Sequence, residues 1–221
     1  MDQALFRDAL ASAYSAGVLD PAFHLLLETQ AAVQPRAKVD LGVAEAVAGA
    51  LLDRQAPAPM STGALDRLFA QIDALGSPEA SHQRAARAAG SLIDEILSLP
   101  KPIQDHALEA IGQGEWAFAG PGLRVLKLDM SSACRVEILR IEPGWGAPRH
   151  SHNGSEFTLV MKGAFSDARG RYATGDIAFA GPELTHQPIA EKGEICYALA
   201  VSEGDMAFTG ALGLVQRIWR H

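Results

Sequence analysis

The hydrophobic residues of this 221-residue chain change their spacing near residue 100, and this change constrains the fold more than any other feature. Before it, apolar residues recur every three or four positions, which is the spacing of a helix with one apolar face. After it, short apolar or alternating runs are bounded by glycine and proline, as in β-strands. The sequence therefore predicts an α+β chain of two domains, a small helical bundle followed by an all-β domain.

Four helices are predicted in the first region. The second begins at Asp20-Pro21, since aspartate suits the N-cap and proline the first helical position. It should end before Pro35, because the residue before a proline avoids helical dihedral angles. The four predicted helices span residues 2–17, 21–33, 36–54 and 62–75. Apolar residues at helical spacing are Val39, Val43, Val47, Ala50 and Leu51 in the third helix, and Leu65, Leu68, Phe69, Ile72 and Leu75 in the fourth.

The β-region is predicted from turn signals about 10–15 residues apart, which favour a sandwich or barrel over βαβ units. We predict a helical domain at residues 1–75, a linker with a short helix (92–97) at 76–105, and the β-domain at 106–221. The strand-like runs are residues 122–130, 134–143, 155–163, 175–181, 194–202 and 210–219.

Charge and composition exclude several classes of protein. The net charge of −7 disfavours direct binding of nucleic acid. Residues 1–100 have seven basic and twelve acidic side chains, which indicates either a solvated helix surface or a face complementary to a basic partner. No stretch approaches the ~20 apolar residues of a membrane span, and the polar start is unlike a signal peptide. Cys134 and Cys196 form no disulfide framework, so we expect a cytoplasmic protein with no membrane association.

One cluster has the residue types and spacing of a metal site. His150 and His152 are two residues apart, so their rings project from the same face of a strand. Glu156 follows a turn at Asn153-Gly154 and begins a strand that should run antiparallel to the first, and a second hairpin leads to His186. Three imidazoles and one carboxylate suit Zn²⁺, with Fe²⁺, Mn²⁺ and Ni²⁺ as alternatives.

The spacing around this cluster resembles the two motifs of the cupin family. Gly144, His150-x-His152, Glu156 and Gly163 reproduce the first motif without a gap. Gly175-Asp176, Pro182 and His186 resemble the second, although the proline-to-histidine spacing is one residue short and Ala190 stands where asparagine is common. The resemblance implies a cupin barrel, or double-stranded β-helix. The other histidines, for which structural or solvated roles are favoured, are His24, His82, His106 in a connector, and His221.

The whole chain resembles ChrR-type anti-sigma factors, which restrain an extracytoplasmic-function sigma factor and release it during singlet-oxygen or peroxide stress. The similar segments are residues 9–23, 61–73, 156–165, 175–177 and 188–193. The resemblance implies zinc held by His150, His152, Glu156 and His186. It also implies a His-x₃-Cys-x₂-Cys zinc site in the helical domain, where this chain has Gln30, Gln34 and Ala37. These residues supply no thiolate, so the helical domain must be held by its core or by a partner.

Three functional hypotheses follow. In the first, the helical domain occludes a sigma factor while the metal-binding cupin senses oxidation, and no residue is catalytic. Phe6, Tyr14 and Leu25 are then candidate anchors for the sigma factor. Acidic residues of the helical domain speed its encounter with the sigma factor. Those acidic residues are Asp2, Asp8, Asp20, Glu28 and Asp53. In the second, the cupin is a dioxygenase-like metalloenzyme, with Tyr172, Tyr197 or Glu183 near the metal. In the third, it is a passive ligand-binding or homodimeric cupin.

Overall fold

The computed structural model describes residues 3–74, 93–114, 116–204 and 206–208. The four predicted N-terminal helices are confirmed, and each end lies within two residues of its predicted position. The helices are α1 (Gln3–Ser15), α2 (Pro21–Val33), α3 (Pro35–Leu52), α4 (Ala64–Ala74), α5 (Ile93–Leu97) and α6 (Lys101–Gln113). No described helix combines the length and the apolar character that crossing a bilayer demands.

The start and end of α2 follow the predicted signals. The Oδ1 atom of Asp20 accepts a hydrogen bond from the backbone N–H of Ala22 at 2.8 Å, which caps the helix. Gln34 adopts an extended backbone before Pro35 and separates α2 from α3. The proline therefore ends one helix and begins the next.

Helix α6 corrects the prediction for the region around residue 105. His106 lies on this helix, so its assignment to a connector is wrong. Pro102 lies in the first turn of this helix, where no backbone N–H is needed. The residues buried along one face of α6 are Ile103, Ala107, Leu108 and Ile111.

The described strands divide among three sheets rather than one continuous barrel sheet. The largest has six strands in the order β1-β2-β3-β10-β5-β8, and the others are β7-β6-β9 and β11-β4. The strands are β1 (Ala117–Gly120), β2 (Leu123–Leu128), β3 (Arg135–Ile141), β4 (His150–His152), β5 (Glu156–Lys162), β6 (Ala164–Asp167), β7 (Gly170–Ala173), β8 (Ile177–Ala180), β9 (Ile189–Ala190), β10 (Cys196–Ser202) and β11 (Met206–Phe208).

Five of the six predicted strand runs are confirmed as β2, β3, β5, β8 and β10, whereas residues 210–219 lie outside the described part. The pairing predicted for the histidine strand is wrong. β4 pairs with β11, while β5 pairs with β10 and β8. The register of a short strand depends on distant partners, and the local turn signal at Asn153-Gly154 does not specify them.

The main apolar core joins helices α2 and α6 to one face of the six-stranded sheet. Phe23 of α2 meets Phe157 of β5 edge to face, with ring centroids 5.1 Å apart. Leu159 and Met161, on the same face of β5 as Phe157, belong to this core as well. The opposite face of β5 carries Glu156 and is the side on which the candidate site lies.

Two rows of apolar residues on the helices are exposed. The α3 row ranges from 57% exposed for Leu51 to 63% for Val39, and the α4 row from 49% for Leu68 to 55% for Leu65. The α3 row consists of Val39, Val43, Val47 and Leu51, and the α4 row of Leu65, Leu68, Phe69 and Ile72.

Of the three anchor residues predicted for a partner, the structure contradicts one, and the other two stay predictions. Leu25 is wrong, because its side chain is 4% exposed and packs in the main core. Tyr14 is partly buried, stacks on the ring of His24 and donates a hydrogen bond to Glu28 at 3.4 Å. The structure describes only the backbone at Phe6.

Candidate metal centre

The four predicted ligands lie together. His150 and His152 are the ends of β4, Glu156 begins β5, and His186 lies between β8 and β9. All four residues are buried, and their ligand atoms lie within 4.8 Å of one another. His150 and His186 also exchange two backbone hydrogen bonds, of 3.1 and 2.9 Å, which join the two segments at the site.

The three imidazoles turn the same ring nitrogen toward one point. The Nε2 atom of His186 lies 3.0 Å from Nε2 of His150 and 3.1 Å from Nε2 of His152. The carboxylate of Glu156 closes the cluster, with Oε2 3.6 Å from His152 Nε2 and Oε1 3.9 Å from His186 Nε2.

Polar groups outside the cluster orient two of its members. His150 Nδ1 lies 2.6 Å from the carbonyl oxygen of Pro148, which places the proton on Nδ1 and leaves a lone pair on Nε2. The carboxylate of Glu156 accepts hydrogen bonds from Thr158 Oγ1 at 3.1 Å and from Ser202 Oγ at 3.3 Å.

The sequence analysis missed these two hydroxyl groups. Thr158 is two residues from Glu156 and therefore on the same face of β5, so strand alternation was an available signal. Ser202 lies opposite Glu156 across the β10–β5 pair, and nothing in the sequence indicates that register.

Burial favours the neutral form of His152 and of His186. Burial lowers the pKa of His152 to about 4, with smaller contributions from His150 and Arg135. The pKa of His186 is also lowered, chiefly by burial and next by His150, while the charge of Glu156 opposes that shift. Neutral imidazole is the form that binds metal ions.

The arrangement fits a divalent metal ion. Lone pairs converging at 3.0–3.1 Å repel one another unless a proton or a metal ion lies between them. Bonds of about 2.0–2.1 Å would place neighbouring ligands of a tetrahedral zinc ion about 3.3 Å apart, which is close to the separations found. Three nitrogens and one oxygen are compatible with zinc and with the other first-row metals considered above.

Of the acid–base residues considered for an enzyme, Tyr197 lies away from the cluster. The hydroxyl of Tyr197 donates to Glu95 at 2.5 Å and lies within 3.1 Å of the Arg140 Nε, and burial raises the pKa of the tyrosine. Tyr197 pairs with Lys162, six residues along β5 from Glu156 and therefore about 20 Å away. Glu183 is exposed, and Tyr172 packs on Phe165 with ring centroids 5.1 Å apart.

The remaining histidines and cysteines form no second cluster in the described ranges. His24 stacks on Tyr14, and His82 and His221 lie outside those ranges. Cys134 and Cys196 are free, and burial raises the pKa of Cys196 to about 12. A thiol that stays protonated is a poor nucleophile and a poor redox sensor.

Gln30 and Gln34 make a contact that the sequence analysis did not anticipate. Their Nε2 atoms donate hydrogen bonds to the carbonyl oxygen of Gly175, at 3.0 and 3.2 Å, and so join α2 to the turn before β8. We call this contact the glutamine clasp. Gly175 has a φ of 93°, and a Cβ atom there would lie 3.0 Å from Cβ of Gln34, so both the turn and the approach favour glycine. Ala37, at the third position where the resemblance implies a zinc ligand, is buried.

Comparison with known proteins gives concordant matches. Residues 104–206 match the family model of the ChrR cupin-like domain. Anti-sigma-E factor ChrR of Cereibacter sphaeroides is 34% identical over 214 residues, which cover 96% of each chain. A crystal structure of Rhodobacter sphaeroides SigE in complex with the anti-sigma ChrR matches 88% of this chain and 96% of that chain, with 33% identity and a TM-score of 0.65.

An RmlC-like cupin protein of Ralstonia eutropha JMP134 matches 44% of this chain and 68% of that chain, with 16% identity and a TM-score of 0.39. The relative that matches almost end to end includes both the helices and the cupin. This chain belongs to the ChrR family of anti-sigma factors.

Proposed function

We propose that this protein is a cytoplasmic anti-sigma factor whose helical region binds an extracytoplasmic-function sigma factor and whose cupin holds a divalent metal, zinc, that makes the complex responsive to oxidative stress. The observation that supports the partner most strongly is the pair of exposed apolar rows on α3 and α4. The SigE complex of a related ChrR gives the kind of partner.

The two rows have the spacing of an apolar helix face that binds another protein. The α3 row follows an i, i+4 spacing over three turns, and the α4 row an i, i+3, i+4, i+7 spacing. Soluble monomers rarely leave long apolar rows in water, and larger exposed apolar patches mark interaction sites. A sigma factor that covered the rows would remove their apolar side chains from water, and this burial would contribute to its affinity.

Charge around the rows suits a basic partner. Asp53, Asp66 and Asp73 are exposed on or just after α3 and α4. Surfaces that bind nucleic acid are basic, and a sigma factor has such surfaces. Acidic groups at the rim would accelerate association more than they would strengthen the final complex.

The site and the helices share strand β5, which gives the metal a route to the partner surface. Glu156 faces the cluster and its neighbour Phe157 contacts Phe23 of α2. The glutamine clasp makes a second contact at the turn that leads into β8, and β8 pairs with β5. Loss of a ligand bond at Glu156 therefore displaces a strand on which α2 rests.

The seam between the two regions is loosely filled. A cavity of about 1170 Å³ lies beside the clasp, and its lining includes Val43, Val47 and Leu51 of the α3 row. Close-packed interfaces resist small displacements, so we propose that this cavity allows the metal-loaded and metal-free forms to adopt two arrangements. Metal loss or oxidation of a ligand would release the sigma factor only to the extent that the two arrangements differ in affinity for it.

The direct test is copurification of the native protein, followed by mass spectrometry and elemental analysis. We expect a sigma factor encoded beside this gene, together with zinc at one ion per chain. Absence of the sigma factor from zinc-replete and metal-stripped protein alike would end the anti-sigma proposal. Iron or manganese with oxygen uptake would instead support a dioxygenase-like enzyme.

A further inference from the structure

Asp167 is a buried carboxylate at the end of β6, in the hairpin that joins β6 to β7. Its side chain is 3% exposed. The Oδ1 atom accepts a hydrogen bond from the backbone N–H of Arg169 at 2.8 Å, a contact that fixes the carboxylate within the turn. This leaves Oδ2 free to face another group.

That group is the outer nitrogen of His186. Oδ2 of Asp167 lies 3.6 Å from Nδ1 of His186, on the side of the ring opposite the cluster. Nε2 of the same ring faces His150 and His152. A carboxylate, an imidazole and the cluster therefore lie in series, as in sites where a carboxylate orients a metal-binding histidine.

The carboxylate also favours one tautomer of the His186 ring. A carboxylate oxygen near Nδ1 favours a proton there, and Nε2 is then left with a lone pair directed at the cluster. Pro148 has the same effect on His150 through its carbonyl oxygen. In addition, Asp167 adds a second formal negative charge near the site, so that with Glu156 two carboxylates would balance one divalent cation.

From this geometry we infer that Asp167 is a positioning residue, which holds His186 in the tautomer and orientation that bind the metal. The inference rests on the proposed metal site. Nothing in the spacing of the sequence indicates it, because Asp167 is 19 residues from His186 and belongs to a different hairpin. Outer-shell partners of this kind change metal affinity by about 10–100-fold.

The test uses Co²⁺ as the probe, titrated into full-length metal-stripped protein and followed by its visible d–d absorption. For Asp167→Asn we expect a dissociation constant raised about 10–100-fold and an altered d–d spectrum, because the Nε2 atom of His186 becomes a weaker donor. Asparagine can still accept the hydrogen bond from Arg169 N–H, so the hairpin should be retained. Asp167→Glu should restore part of the affinity.

Asp176→Asn is the matched control. Asp176 also accepts a backbone hydrogen bond within a turn, from the N–H of Ala173 at 2.9 Å, and its side chain is not part of the cluster. We expect this variant to bind Co²⁺ like the wild type. If Asp167→Asn binds with unchanged affinity and spectrum while the wild type binds tightly, the inference fails and the metal site stands.

A wild-type protein that does not bind Co²⁺ would overturn both proposals. A second measurement needs no variant: the ¹⁵N chemical shifts of His186 in the zinc-loaded protein. We expect a protonated Nδ1, and a proton on Nε2 would overturn the inference.

Discussion

Soluble proteins usually bury apolar side chains and expose polar ones, and the helical and cupin regions depart from this distribution in opposite ways. In the helices, rows of valine, leucine, isoleucine and phenylalanine face the solvent. In the cupin, three histidines and a glutamate are buried. Exposed apolar surface and buried polar groups are both costly unless something covers or neutralises them. Under the proposed function the two regions have different partners, a protein that covers the helices and a cation that neutralises the cupin cluster.

The largest effect should come from placing charge on the α3 row. In Val43→Asp/Val47→Asp, two carboxylates would be buried without partners against the sigma factor, and we expect its affinity to fall about 1,000-fold, or about 4 kcal/mol. Isothermal titration calorimetry measures this. Glu109→Gln, an exposed substitution on α6, should bind normally, and metal affinity should be unchanged in both variants. If the double variant bound the sigma factor with normal affinity, the α3 row would not be part of the binding surface.

The next effect concerns the cupin alone. Zinc at 1,000 times its dissociation constant should stabilise the protein by about 4 kcal/mol, because only the folded state assembles the four ligands. Thermal unfolding with and without a chelator measures it. Glu156→Gln should lose most of this increment, whereas Glu194→Gln, an exposed glutamate of the same domain, should retain it. A chelator that leaves the wild-type unfolding temperature unchanged would contradict the metal site.

Acid should destabilise the metal-free cupin. The pKa of His152 is about 4 in the folded protein and about 6.5 when unfolded. The unfolded chain therefore binds more protons, and stability falls as the pH decreases from about 6.5 to about 4, by on the order of 3 kcal/mol. Urea unfolding at a series of pH values measures the slope. His152→Gln should flatten this slope, whereas His24→Gln, at a half-buried position of α2 outside the cluster, should not. A slope in His152→Gln equal to that of the wild type would assign the acid response to other groups.

The smallest effect is expected at the glutamine clasp, where the two regions meet. Gln30→Ala/Gln34→Ala removes two neutral hydrogen bonds to Gly175 and should cost about 2 kcal/mol. Hydrogen exchange of α2 and α3 should then depend less on metal than in the wild type. Gln104→Ala is the control, because its amide also donates to backbone carbonyls, at 3.0 and 2.8 Å, but far from the clasp. If hydrogen exchange in the clasp variant depended on the metal as strongly as in the wild type, β5 alone would connect the metal site to the helices.

Local signals predicted much of this structure, and contacts between distant segments account for the rest. The capping aspartate and Pro35 mark the ends of α2, and the spacing of His150, His152, Glu156 and His186 predicts a cluster that the fold assembles. Helix α6 was missed because its early proline has two interpretations, turn or first helical turn. The clasp could not be predicted, since it brings together residues more than 140 positions apart.

The sequence also did not show which apolar helix residues are exposed and which are buried. Helical spacing in α3 and α4 identifies an apolar face, but the same pattern serves a core and an interface. Leu25 and Val43 illustrate this, because both follow helical spacing while one is buried and the other is exposed. Only the packing of α2 against the sheet distinguishes them.

The central claim is that the metal in the cupin changes the affinity of the helices for the sigma factor. The most direct measurement is the dissociation constant of the sigma factor for full-length protein, first zinc-loaded and then metal-stripped, under the same salt conditions. We expect the zinc-loaded form to bind the sigma factor more tightly, by about tenfold or more, and by reciprocity the complex to bind zinc more tightly by the same factor. Identical dissociation constants for the two forms would contradict it.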